Sequence, residues 1–218
     1  MFSALVNKKI LSIDIDYCLD THDMVEVFDL FIKTLHSIND RSRVVISQYH
    51  ADILDMLNSI DGDLDVYNVD LHHDIFYEKE VSIAEVRAGV AGSSDWVLWT
   101  ALNLNLNSYT WIKQPCSEEF SEEMMELFCG AYHKDKSYDI IDSRNVLFTS
   151  KLAFTHKVDS FCIKQKPPIA VETRLTKEIL DIDFDYLFLC LSPEYTPKEN
   201  YFFYEICKSA YSSHFAKT

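Results

Sequence analysis

The stretch Asp65-Val-Tyr-Asn-Val-Asp70-Leu-His72-His73-Asp74 decides how the rest of the chain is read. Val66 to Val69 have the composition of a buried strand end, and the polar residues beyond them alternate as carboxylate, imidazole, carboxylate. On an extended chain, positions i, i+2 and i+4 share one face, so Asp70, His72 and Asp74 are expected to converge. Carboxylates with a neutral imidazole form a ligand set suited to Mn, Fe or Zn, and more oxygen favours harder ions such as Mn. The competing reading is a polar strand end with capping residues.

Other strand tips join it. Lys8-Lys-Ile-Leu-Ser-Ile-Asp14-Ile-Asp16 is an apolar run ending in two acids, the pattern of a parallel-sheet strand with a functional tip. Two carboxylates there repel each other unless a cation or protons neutralise them. Arg43-Val-Val-Ile-Ser is a second strand, with His50 at the following strand-to-helix junction. Tyr186-Leu-Phe-Leu-Cys-Leu is a strongly apolar strand leading into Ser192-Pro-Glu194-Tyr-Thr-Pro197, where two prolines stiffen the turn that carries Glu194. Ligands in open α/β sheets gather beyond the carboxyl ends of strands.

Between these strands the spacing predicts helices. From Thr21 to about Asn39, Met24, Val27, Phe28, Phe31, Ile32 and Leu35 recur at helical intervals, with Asp20 or Thr21 as cap. Ala51 to about Ile60, Ser117 to Cys129, Thr173 to Leu180 and Lys198 to about Tyr211 read as further helices. Ser93 and Ser94 read as caps of the apolar run from Trp96, while Asp95 is a candidate substrate contact. Tyr109 to Ile112, Asn145 to Thr149 and Asp159 to Ile163 read as strands, and Lys134 to Arg144 as a loop or lid. Asp181, Asp183 and Asp185 precede their strand and are placed at the opposite edge of the sheet. Strands alternating with helices predict an α/β fold with a mostly parallel sheet in three layers, α/β/α, and one domain over residues 1–218.

Composition narrows the function. The 218 residues carry a formal net charge of −15, which argues against nucleic acid, whose phosphates need basic patches. That charge favours a cationic substrate. The six cysteines show no C-x-x-C pair, and Met1 to Lys9 is too short for a signal-peptide core, so reduced thiols in a cytoplasmic protein are expected, with no membrane span.

Four carboxylates and two imidazoles are too many for one zinc and match two metals bridged by water, an arrangement that brings the water pKa towards neutrality. Ser12-Ile-Asp14-Ile-Asp16 resembles the S-x-D-x-D motif of arginase-like ureohydrolases, Asp70-Leu-His72-His73-Asp74 resembles their D-x-H-x-D motif, and Glu194-Tyr-Thr-Pro197 resembles their strand-end E-x-x-P. His50 stands where that family contributes a histidine from a strand-to-helix turn. The S-x-D-x-D strand comes first here rather than late, an order similar to a compact arginase-like family that includes the peptide arginases of ribosomal peptide biosynthesis. The resemblance implies an arginase/deacetylase-like fold and two Mn(2+) ions held by Asp14, Asp16, His50, Asp70, His72 and Asp74. It implies hydrolysis of arginine residues in a precursor peptide to ornithine and urea, with Asp74 orienting the attacking water and Glu194 anchoring the guanidinium. His73 is the nearest candidate for returning a proton to the leaving amine. The alternatives are an amidohydrolase or deacetylase on the same scaffold, a phosphatase using Asp14 and Asp16, and a non-catalytic peptide-binding protein. The sequence leaves the oligomeric state open.

Overall fold

A computed structural model describes residues 7–77, 81–118, 140–143, 146–149, 169–172 and 174–216. Within them lies a six-stranded sheet in which every paired neighbour is parallel, in the order β2-β8-β1-β3-β4-β7. The strands are β1 (Lys8–Asp14), β2 (Val44–Ser47), β3 (Leu64–Val69), β4 (Leu106–Ile112), β7 (Ile169–Glu172) and β8 (Tyr186–Cys190). Two short strands, β5 (Ile140–Ser143) and β6 (Val146–Thr149), pair antiparallel with each other. The helices are α1 (Thr21–Ser37), α2 (Ile53–Asn58), α3 (Ile83–Arg87), α4 (Trp96–Asn103), α5 (Lys177–Leu180) and α6 (Tyr201–Phe215).

Side-chain alternation splits the core into two layers, as the period of a strand requires. Leu11 and Ile13 of β1, Val69 of β3, and Leu187 and Leu189 of β8 pack with α1 and α6 through Val27, Phe31, Leu35 and Phe203. The opposite face carries Ile10, Val66, Tyr109, Trp111 and Phe188, packed against α2 and α4 through Ile53, Leu57, Trp96 and Val97. The result is the three-layer α/β arrangement expected from the pattern. Asp20 caps α1 with a reciprocal box, accepting from the Asp23 N–H at 3.0 Å while Asp23 accepts from the Asp20 N–H at 3.3 Å.

Parallel strands bring all their carboxyl ends to one edge. The chain leaves β1 for β2 on one side and then crosses to β3 on the other, which opens a crevice at that edge. Asp14 ends β1, Asp70 follows β3, His50 follows β2, and Ser192 follows β8.

Two expectations are corrected, and one strand had no expectation. β5 occupies residues read as part of a loop, because Ile140 and Ile141 find cross-strand backbone partners in Thr149 and Phe148 respectively. β7 went unread, since four residues after a proline pair give little periodicity to detect. The second correction concerns how Asp70, His72 and Asp74 meet, which a turn rather than a strand face brings about. The strand expected at Asp159 to Ile163 lies outside the described residues, as does the helix expected at Ser117 to Cys129 beyond residue 118.

Candidate metal centre

β3 stops at Val69, so Asp70, His72 and Asp74 do not share a face by strand alternation. A turn gathers them instead. The Asp70 carboxylate accepts from the His72 N–H at 2.7 Å, and Asp74 takes a left-handed backbone with φ 49°. Asparagine and aspartate tolerate that region better than most residues, because the short polar side chain bonds locally. The pair on β1 follows a similar rule. Asp14 ends the strand and accepts from the Asp16 N–H at 3.1 Å, so Asp16 sits on a short 3-10 turn, Ile15–Tyr17. Gln114 and Asn200 pin that turn by donating to the Tyr17 and Cys18 carbonyls at 2.9 and 2.7 Å.

The six predicted donors meet. His50 Nδ1 lies 2.9 Å from Asp74 Oδ2, 3.2 Å from Asp14 Oδ2 and 3.4 Å from Asp70 Oδ2. His72 Nδ1 lies 2.8 Å from Asp16 Oδ2 and 3.9 Å from Asp70 Oδ1. Asp70 therefore faces both imidazoles, one oxygen towards each. Two donor groups follow, His50 with Asp70 and Asp74, and His72 with Asp16 and Asp70, each with its ligand atoms within 4.8 Å of one another. The four carboxylates are at most 5 % exposed.

A second layer orients the first. His50 Nε2 lies 2.9 Å from Ser12 Oγ, and with the proton on Nε2 the Nδ1 lone pair is left free to ligate a metal ion among the carboxylates. The His50 ring stacks on Phe188 at 5.6 Å and leans on Trp96 at 5.2 Å. Trp96 Nε1–H donates to Asp74 Oδ2 at 2.8 Å, Asn68 donates to Asp70 Oδ2 at 3.1 Å, and Ser192 Oγ donates to Asp14. Among the described residues, the non-glycine residues with positive φ are Asp74 and Ser192 (φ 45°), and both side chains enter this cluster. Backbone held in a sparsely populated region collects where function over-determines it.

The electrostatics follow from crowding acids in a dry place. Burial, then the Asp14 carboxylate, pushes Asp16 up to about 6 despite its bond to His72. Burial and the neighbouring Asp74, Asp16 and Asp14 hold Asp70 well above the usual carboxylate range. For His50 burial works the other way, but Asp74 and Asp14 outweigh it and raise the imidazole to about 10. Burial also opposes the rise of His72, which its contact with Asp16 carries through. Asp74 is lowered even though burial alone would raise it, because His50, Asp70 and Trp96 favour its ionised form.

Such a set suits divalent ions. Carboxylates this close and this deeply buried call for positive charge among them, and oxygen donors joined by imidazoles are of the kind that hold a divalent metal ion.

A narrow pocket opens over the cluster, lined by Asp14, His50, His72 and Asp74, with Tyr77, Ser93, Ser94, Ser192 and Tyr195 completing its wall. A second, more open pocket shares His50, Ser93, Ser192 and Tyr195 and extends past Gln48 and Tyr49 to Glu194. Glu194 thus belongs to the outer cavity and is solvent-exposed. Asp95 is fully buried at the start of α4 and accepts from the Tyr77 N–H at 3.4 Å. Ser93 and Ser94, read as caps, line the cavity instead. His73 is set into the core, its ring stacked on Tyr77 at 4.2 Å and edge-on to Trp111, its Nδ1 accepting from the Ile75 N–H at 3.1 Å. Burial pushes it down to about 4. Trp96, Ser192, Tyr77 and Tyr195 went unread as site residues. Of these only Ser192 carried a signal, its place between an apolar strand and a proline.

No family model, curated protein or solved structure matches the chain. Among the described residues no helix is long and apolar enough to cross a membrane.

Proposed function

We propose that this chain is a binuclear-metal hydrolase that cleaves the guanidinium of arginine residues in a peptide, leaving ornithine and urea. The observation that carries the reading is Asp70 turned with one oxygen to each imidazole, so that two Asp/His donor groups share a ligand. Asp14, Asp70, Asp74 and His50 would hold one ion, and Asp16, Asp70 and His72 the other, with manganese the first expectation. When bound, such a pair supplies a water acidified towards neutrality and Lewis-acid stabilisation of developing charge.

The residues around it perform the rest. Asp74, fixed by Trp96, presents a carboxylate at the cavity floor able to orient the attacking water and accept its proton. The acidic cluster draws a cation into the cavity, and Glu194 in the adjoining cavity offers charge-assisted hydrogen bonds to a guanidinium. Tyr195 lies 4.9 Å from the His72 ring and Tyr77 6.1 Å from it, so aromatic rings flank the alkyl path to the cluster. The outer cavity meets solvent beside exposed Tyr49 and Glu194, which favours an arginine carried on a peptide over the free amino acid.

The test is incubation of manganese-loaded protein with arginine-containing peptides and, in parallel, free arginine, followed by mass spectrometry. The expected product is ornithine at the arginine positions with release of urea. Unchanged peptides from protein carrying two metal equivalents would overturn the proposal. Glu194→Gln is expected to keep both metals while losing hydrolysis.

A further inference from the structure

A third donor group lies at the same rim. Asp14, His50 and Cys190 each offer one ligand atom, all within 4.8 Å of one another, and all three residues are buried. They arrive from the ends of three adjacent strands, because β8 lies between β1 and β2 and its Cys190 stands opposite both Asp14 and Ser47 in the Cα register. Alternation along β8 decides which way the thiol faces. Phe188 stacks on the His50 ring, and Cys190 is the next residue on that face. Its Sγ lies 3.3 Å from Ser192 Oγ, the same hydroxyl that donates to Asp14.

We infer that Cys190 is a sulfur ligand that makes the two metal positions unequal, the one at His50 and Asp14 taking a thiophilic divalent ion such as zinc or cobalt. The inference deepens the proposed metal centre and rests on it. Four-coordinate zinc, held by Asp14, His50, Cys190 and one of Asp70 or Asp74 with nitrogen and oxygen ligands at about 2.0–2.1 Å, keeps those nitrogen and oxygen donors roughly 3.3–3.4 Å apart. The separation of His50 Nδ1 and Asp14 Oδ2, 3.2 Å, is close to that. Thiolate donors select zinc and its softer neighbours, while the all-oxygen-and-imidazole group at Asp16, Asp70 and His72 keeps the preference for harder ions. On coordination the thiol proton leaves to solvent and a metal–sulfur bond forms, with no change of oxidation state.

The full chain loaded with one equivalent of zinc, in a buffer free of thiols, is expected to show one sulfur scatterer at about 2.3 Å in zinc X-ray absorption. Cobalt in its place is expected to give a near-ultraviolet thiolate charge-transfer band. Cys190→Ser, nearly isosteric, should lose the sulfur scatterer and the band while retaining manganese. A shell of nitrogen and oxygen alone in the wild-type protein overturns the inference without any variant, as does sulfur that persists in Cys190→Ser. Peptide hydrolysis by the same manganese-loaded preparation reads the proposed function separately: sulfur ligation without hydrolysis leaves this inference standing, and hydrolysis without sulfur removes it alone.

Discussion

Replacing Asp70 by asparagine separates metal binding from folding more sharply than any other change in the cluster. The substitution keeps shape: an asparagine oxygen can still accept from the His72 N–H now bonded at 2.7 Å, and its amide nitrogen can donate to Asn68 Oδ1 once the Asn68 amide turns over. It also removes a carboxyl that burial and three acidic neighbours hold well above its ordinary range, so the metal-free protein should be no less stable than wild type. Metal changes the comparison. A ligand at a hundred times its dissociation constant adds about 2.7 kcal/mol per site, so two sites add about 5 kcal/mol. For a chain of this size each kcal/mol moves the midpoint by roughly 2–4 °C, which makes the wild-type shift about 10–20 °C. Because Asp70 faces both imidazoles, Asp70→Asn should abolish nearly the whole shift. His72→Ala, which touches one donor group, should leave about half of it. The assay is thermal unfolding with chelator and with manganese, read by circular dichroism. A full metal-induced shift in Asp70→Asn would refute the reasoning, and so would a large loss of stability in chelator.

Further outcomes follow from neighbouring contacts. Ser12→Ala removes the partner of His50 Nε2 and is expected to weaken metal binding by about 10–100-fold in a chelator competition, with the fold intact. Asp20→Ala breaks the capping box of α1, far from the site, and should cost about 1 kcal/mol in denaturant unfolding while leaving metal affinity unchanged. Chelated wild-type protein should lose stability as the pH rises. His50 is raised from 6.5 to about 10 in the fold, so its contribution is complete below pH 6.5 and disappears as the pH passes 10. A flat pH profile over that window in chelator would contradict the burial of His50 among three carboxylates.

Much of this architecture is written in simple periodicities. The helical spacing of Val27, Phe31 and Leu35, the apolar runs of β1, β3 and β8, and the polar residues at their carboxyl ends are enough to place six donors at one rim. The turns that complete the convergence are not legible in the same way. Asp74 reaches His50 through a left-handed backbone, a choice made by the surrounding contacts rather than by residue type alone. Trp96 reads as an apolar helix residue, and nothing in its spacing announces the hydrogen bond to Asp74. His73 illustrates the converse. Adjacent to His72 and chemically identical, it is turned by the same loop into the core against Tyr77 and Trp111, where its basicity falls. Tyr195 reaches the His72 ring from a residue far along the chain, and only the pairing of β8 with β1 brings it there.

The central claim is tested most directly by an anomalous-difference map from a crystal grown with manganese. Two peaks are expected, one on each side of Asp70, the first against His50 and Asp74 and the second against His72 and Asp16. A map with no peak among these six residues would contradict the account.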